Sequence, residues 1–244
     1  MKIMAVLSVM ILMLSACGQN PSRRSDNLQS DLAQPAENSP EMINVRLGVG
    51  YYERGDIDTA LDKLRKAIKL NPKLAIAHSV LAVVYGSINA QTDARRHYQL
   101  SVKYAPNDPI ILNNYGSYLC QQGEFKQAIT YYERIISNPF YKNTETAHEN
   151  AGVCLMGDDR YQEAEQHFRE ALKINPRMPT SLYNMVIIKA GQREHLKARA
   201  FLQRLESLVQ LDEKMLTIAY QVETKLGAKD SADAYRLRLK KANN

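Results

Sequence analysis

The chain repeats itself. In steps of about 34 residues, from Glu41 to about Asp212, the same residue types return at the same offsets. A period of that length marks a stack of helical hairpins, because each unit alone cannot bury its apolar face and must pack on a neighbour. Unit one carries Leu47, Gly48 and Tyr51, then Ala60, Leu64 and Ala67, then Pro72. Unit two carries Leu81, Ala82 and Tyr85, then Ala94, Tyr98 and Ser101, then Pro106. Unit three has Tyr115, Gly116 and Leu119, then Ala128 and Tyr132. Unit four has Ala151, Gly152 and Leu155, then Ala164, Phe168 and Ala171, then Pro176.

Each recurrent residue has a physical reason. Gly48, Gly116 and Gly152, with the alanines at 60, 94, 128 and 164, stand where the two helices of a hairpin cross closely, and a larger side chain would push the axes apart. Large apolar residues at helical spacing fill the space between units. Pro72, Pro106 and Pro176 stop the second helices. Gly55, Asn89, Gly123 and Asp159 share one offset inside the hairpins, where a left-handed backbone is needed and these residue types tolerate it best. The pattern resembles the tetratricopeptide repeat (TPR) family over roughly 170 residues, with Asn44, His78, Leu112 and His148 in the slot that usually opens on Trp. The fold expected is all-α, a superhelical solenoid of about six helix-turn-helix repeats, with units near 41–74, 75–108, 109–144, 145–178, 179–212 and 213–244. Unit five is degenerate, with Met185 and Val186 in the Leu-Gly slot. Unit three runs two residues long through Pro139, Phe140 and Tyr141, and we expect both aromatics to cover the seam, against the alternative that they project as contacts.

The N-terminus reads as a processing signal. Lys2 precedes an apolar run, Ile3 to Leu14, too short for a confident membrane span. It ends in Leu14-Ser15-Ala16-Cys17, which resembles the bacterial lipobox. The expectation is a leader over 1–16 and lipid on Cys17; the alternative is an ordinary secretory signal with Cys17 incidental. Gly18, in place of an Asp, implies the outer membrane by the rule for such lipoproteins. Residues 17–40 are rich in Ser, Asn, Gln, Pro and Arg and read as a tether. The net charge of +6 is spread along the chain, and with a periplasmic address it gives no case for nucleic acid.

The residues that could carry chemistry do not assemble into an active centre. His78 and His148 are equivalent by repeat, as are His97 and His167, and none has a metal-ligand spacing. No nucleophile elbow or phosphate loop occurs. The expectation is therefore no enzyme, no catalytic residue, no metal, no cofactor and no small-molecule substrate. Cys120 and Cys154 fall on neighbouring first helices in an oxidising compartment, so they read as a disulfide, against two buried small apolar side chains.

Function is expected on the groove lined by first helices, against the alternative that part of its apolar strip is core or is covered by the linker folding back. The candidate binding residues are Met42, Val45, Val49 and Tyr52 from unit one, with Ile76 and Val83 from unit two. Asn114, Asn150 and Asn184 form a ladder at one register position, able to bond a peptide backbone or adjacent repeats. Lipobox, tether and about six repeats together resemble the type IV pilus biogenesis lipoproteins of the PilF/PilW type, the secretin pilotins. That resemblance implies a lipid-anchored protein on the periplasmic face of the outer membrane. Its partner would be an outer-membrane secretin subunit, whose localisation and multimerisation it promotes. The alternative is a TPR lipoprotein scaffold that recruits peptidoglycan hydrolases or synthases.

Overall fold

The computed structural model describes residues 37–242, so the leader, Cys17 and most of the tether lie outside the described residues. Twelve α-helices follow one another and no strand occurs among the described residues. They pair as six hairpins: α1 (Pro40–Glu53) with α2 (Ile57–Leu70), α3 (Ala75–Ser87) with α4 (Gln91–Tyr104), α5 (Pro109–Gln121) with α6 (Phe125–Ile136), α7 (Glu145–Gly157) with α8 (Tyr161–Ile174), α9 (Pro179–Gly191) with α10 (His195–Glu206), and α11 (Glu213–Lys225) with α12 (Lys229–Ala242). Helices touch within hairpins and between successive hairpins, the pattern of a solenoid.

The close crossings fall where the small residues stand. A Cβ on Gly152 would lie 2.7 Å from the Phe168 ring, and one on Gly116 would lie 2.9 Å from the Tyr132 ring. Ala60, Ala94, Ala128 and Ala164 are completely buried. Second helices end at Leu70, Tyr104 and Ile174, two residues before Pro72, Pro106 and Pro176. The hairpin turns take positive φ at Gly55, Asn89, Gly123, Asp159, Arg193 and Gly227. Arg193 is the surprise: an ordinary L-residue there costs roughly 1–2 kcal/mol. Several helices are capped from the sequence. Ser39, Asp56, Asp108 and Asp212 accept backbone N–H bonds at the starts of α1, α2, α5 and α11, and proline enters the first turn of α1, α5 and α9.

The long connection after α6 behaves differently from expectation at one of its two aromatics. Tyr141 packs against the cluster of Leu112, Ile135 and Ala147, and its hydroxyl donates to the Asn107 carbonyl. Phe140 does not cover the seam; it is 88% exposed. In the turn before it, the Asn138 side chain accepts from the Phe140 N–H at 3.0 Å.

One seam position changes its chemistry along the stack. At the register of Leu61, Ile129, Glu165 and Arg199 the second helix meets the next unit's Tyr85, Leu155, Lys189 and Glu223, whereas unit two has Arg95 there, paired with Glu124. The first two contacts are apolar. The last two are ion pairs of opposite polarity: Lys189 Nζ lies 2.6 Å from Glu165, and Arg199 Nε donates to Glu223 at 2.8 Å. Lys189 and Glu223 are both 3% exposed.

A candidate protein-binding groove

The first helices of three successive units bring Tyr52, Val83, Gly86, Ser87, Asn114, Ser117 and Gln121 to one concavity of ≈ 300 Å³, with Tyr98 and Tyr118 at its base. Tyr52 and Val83 are half-buried. Val83 leans on the cluster that includes Ala82, Tyr98 and Tyr118, while Tyr52 leans on Leu61, Leu64 and Leu81. The wall is therefore aromatic and aliphatic with amide and hydroxyl groups at its rim. That mixture suits a peptide or helix that offers apolar side chains and a few polar groups.

The site differs from the sequence expectation in definite ways. Tyr52, Val83 and Asn114 come together, and Val49 is half-buried one turn before Tyr52 on α1. Val45 is not a groove residue. It is 4% exposed and packs with Ala67, Leu74 and Ala77 between units one and two. Met42 and Ile76 are half-buried against that same cluster, so they edge the core rather than the concavity. The reason is helical phase: the face that turns toward the next unit lies one step round from the face that meets solvent.

The asparagines do not form one ladder. Asn114 Nδ2 donates to Ser79 Oγ at 3.1 Å, and Asn150 Nδ2 donates to Asn113 Oδ1 at 2.8 Å, each across a seam to the preceding unit. Asn184 turns back to the Thr180 carbonyl of its own helix at 2.9 Å, because Glu149, where its partner would be, instead accepts from Ser181. At Asn114 and Asn150 the amide donors thus serve repeat stacking, the adjacent-repeat alternative of the two the sequence left open.

Tyr118 was not anticipated. Its register mates Val84, Cys154, Ile188 and Val222 are buried seam residues. Tyrosine is long enough to leave that seam and reach the groove. The signal lay in an aromatic standing where neighbouring units use aliphatic residues. Its hydroxyl donates to the Gln91 carbonyl at 3.2 Å, and the Arg95 guanidinium lies 5.7 Å from its ring. Arg95 is itself held by Glu124, which raises its affinity for its proton further.

The histidines pair inside their own hairpins. His78 Nδ1 and His97 Nδ1 are 2.8 Å apart, and His148 Nδ1 and His167 Nδ1 are 3.1 Å apart. One nitrogen of each pair must be unprotonated. Burial, then the His78 and Arg96 charges, lowers His97 to about 4; burial also lowers His78, His148 and His167. His78 Nε2 meets the Pro72 carbonyl at 3.0 Å. These are neutral interhelical contacts, stacked at His78–His97 and tilted at His148–His167. Among the described residues no group of three or more potential ligands could hold a metal. Cys120 and Cys154 are brought together on α5 and α7, with Cα atoms 5.6 Å apart, inside the range a disulfide spans. No described helix is long and apolar enough to cross a membrane.

The sequence profile of the middle TPR-like domain of cilia and flagella-associated protein 70 matches residues 79–236, and a TPR-repeat profile matches residues 48–89. The chain belongs to this TPR-like family. The chain is also a homologue of a type IV pilus assembly protein: it is 26% identical to PilF of Pseudomonas aeruginosa over 200 residues, 81% of this chain and 78% of that protein. The solved PilF structure superposes with a TM-score of 0.78 at 25% identity, covering 83% of this chain and 91% of the solved chain. PilW, a type IV pilus biogenesis factor, shares the fold with a TM-score of 0.74 at 22% identity, covering 83% and 93%.

Proposed function

We propose that this chain is a lipid-anchored periplasmic scaffold of type IV pilus biogenesis, which promotes outer-membrane localisation and multimerisation of the pilus secretin. The observation that carries this reading is the homology to PilF across four-fifths of the chain. Homologues that act in type IV pilus biogenesis, a cell-envelope process, support a pilus-related scaffold role. The secretin partner and the lipid anchor are the finer steps of the proposal.

In this reading residues 1–16 are removed as a leader and Cys17 carries lipid. Each buried methylene contributes about 0.8 kcal/mol, so several acyl chains hold the protein at the membrane. Residues 17–40 link the anchor to the solenoid. The groove of units one to three then captures a segment of a secretin subunit. Anchor and groove act together, since tethering turns capture into an effectively intramolecular event at high local concentration. Cys120 and Cys154 are bridged, which fastens units three and four side by side on the groove's far flank.

The groove is tested by affinity capture of the secretin on immobilised protein. Tyr52→Ala removes an aromatic wall and Val49→Asp puts a charge beside it. Both are expected to lower secretin recovery at least tenfold while helical content and melting temperature stay near wild type. Full recovery with both variants would remove this groove from the account. Capture of peptidoglycan hydrolases or synthases in place of secretin would favour a cell-wall scaffold instead.

A further inference from the structure

The first hairpin has an unfinished side. At the register of Ile43 the later units place Ala77, Ile111, Ala147, Ser181 and Met215, all 3% exposed or less. At the register of Leu47 they place Leu81, Tyr115, Ala151, Met185 and Ala219, all 4% or less. These are the positions that pack on the preceding unit. In unit one no unit precedes them among the described residues, and Ile43 and Leu47 are 41% and 43% exposed. Gly50 stands beside them, where later units bury Val84, Tyr118, Cys154, Ile188 and Val222. Terminal repeats usually make this face polar. Here it keeps two large aliphatic side chains and a glycine that leaves room above them.

Arg46 indicates what lies there. Its register mates Asn114 and Asn150 reach back across the seam to Ser79 and Asn113 of the preceding unit's first helix. Arg46 makes the same backward reach, and what it meets is the incoming chain: its guanidinium donates to the Glu37 carbonyl and, at 3.3 Å, to Asn38 Oδ1. The chain before α1 thus enters on the side where a preceding first helix would stand. Leu28 and Leu32, a few residues upstream, are four apart, the spacing that puts two side chains on one face of a helix. Asp26, Asn27, Gln29, Ser30 and Asp31 surround them, and Pro35 follows. The stretch from Leu32 to Glu37 reaches about 17 Å if extended. Ile43 and Leu47, one turn of helix apart, lie about 6 Å from each other along α1.

We propose that residues 27–33 of this same chain cover the apolar face of Ile43, Leu47 and Gly50, in the place a preceding repeat would take. Leu28 and Leu32 supply the apolar cover, Arg46 fixes the approach through Glu37 and Asn38, and the polar residues face water. The free tether then shrinks to about ten residues from Cys17, with a root-mean-square reach of roughly 17 Å. That would hold the groove close to the membrane in a restricted range of orientations. The inference does not depend on which protein the groove binds.

Amide hydrogen exchange on the chain as cells process it tests this, with mass measured on peptides covering 24–36 and 40–53. Amides of 28–33 are expected to exchange at least tenfold more slowly than in a free peptide of the same sequence. In Ile43→Ser/Leu47→Ser that protection should vanish, and in Leu28→Ser/Leu32→Ser the amides of 43–51 should speed up by a similar factor. Free-peptide exchange of 28–33 in the wild type would overturn the proposal, whatever the variants do. Protection of 43–51 that grows with protein concentration, alongside a dimer in sedimentation, would overturn it in favour of a second copy on this face. Protection that appears only when secretin is added would overturn it in favour of the partner.

Discussion

Lys189 is 3% exposed in α9 and is held by Glu165 at 2.6 Å and Glu194 at 3.0 Å. Burial alone would raise the Glu165 carboxyl, but hydrogen bonds from Lys189, Arg169 and Gln192 outweigh it and hold the group at about 2 against the usual 4.5. A depression of that size corresponds to ~3 kcal/mol between the two protonation states. Lys189 is one of three donors, so Lys189→Leu is expected to cost about 2 kcal/mol, because it takes the buried cation from a half-buried carboxylate and leaves it only Arg169 and Gln192. The sign follows from the direction of the shift. The stabilisation is complete above the unfolded carboxyl range and is lost as pH falls from about 4.5 toward 2, so wild type and variant should converge in acid. The neighbouring seam, where Ile129 meets Leu155, supplies the repair. Glu165→Ile/Lys189→Leu transplants that apolar pair and is expected to restore wild-type stability or exceed it. Urea unfolding followed by circular dichroism at pH 7 and pH 3 measures all three proteins. A single variant as stable as wild type, or a double variant as weak as the single, would refute the idea that the Glu165–Lys189 ion pair holds this seam.

The His78–His97 pair gives a second pH effect. Since the folded-state affinities for protons are lowered, with His97 at about 4, stability present above about 6.5 should fall as pH drops toward 4. His78→Leu/His97→Tyr, which copies Leu112 and Tyr131 from unit three, should flatten the melting temperature between pH 7 and pH 5; an unchanged slope would contradict the assignment. Arg193→Gly relieves a positive φ of 60° and should raise stability by about 1 kcal/mol in the same denaturation assay. If Cys120 and Cys154 are bridged, the oxidised protein carries no free thiol at either position by mass spectrometry after alkylation, and Cys120→Ser/Cys154→Ser loses roughly 2–4 kcal/mol; full alkylation of both would end that part of the account.

Hairpin order, crossing points and turns were legible because each is fixed by a local, repeating constraint. Gly152 under the Phe168 ring, Asp159 with positive φ and Pro176 after α8 all announce themselves in a single unit. The groove was less legible because it depends on which face of α1 turns inward. Val45 and Val49 are one helical turn apart and chemically alike, yet one is sealed between units and the other is half-exposed. The asparagines failed as a row for a different reason. Equivalent register guarantees equivalent place, but the partner is set by the preceding unit's residue: Ser79, Asn113 and Glu149 send the three amides to three fates. The histidine pairs needed both helices of a hairpin in view at once. Pairing lies in the phase between helices, which spacing along one helix does not carry.

The central claim is tested most directly by blotting membranes for heat- and detergent-resistant secretin multimers in wild type, a deletion strain and a Cys17→Ser strain. The account predicts multimers in the outer membrane of wild type, their loss on deletion, and multimers displaced from the outer membrane with Cys17→Ser. Normal multimers in the outer membrane of all three strains would contradict it.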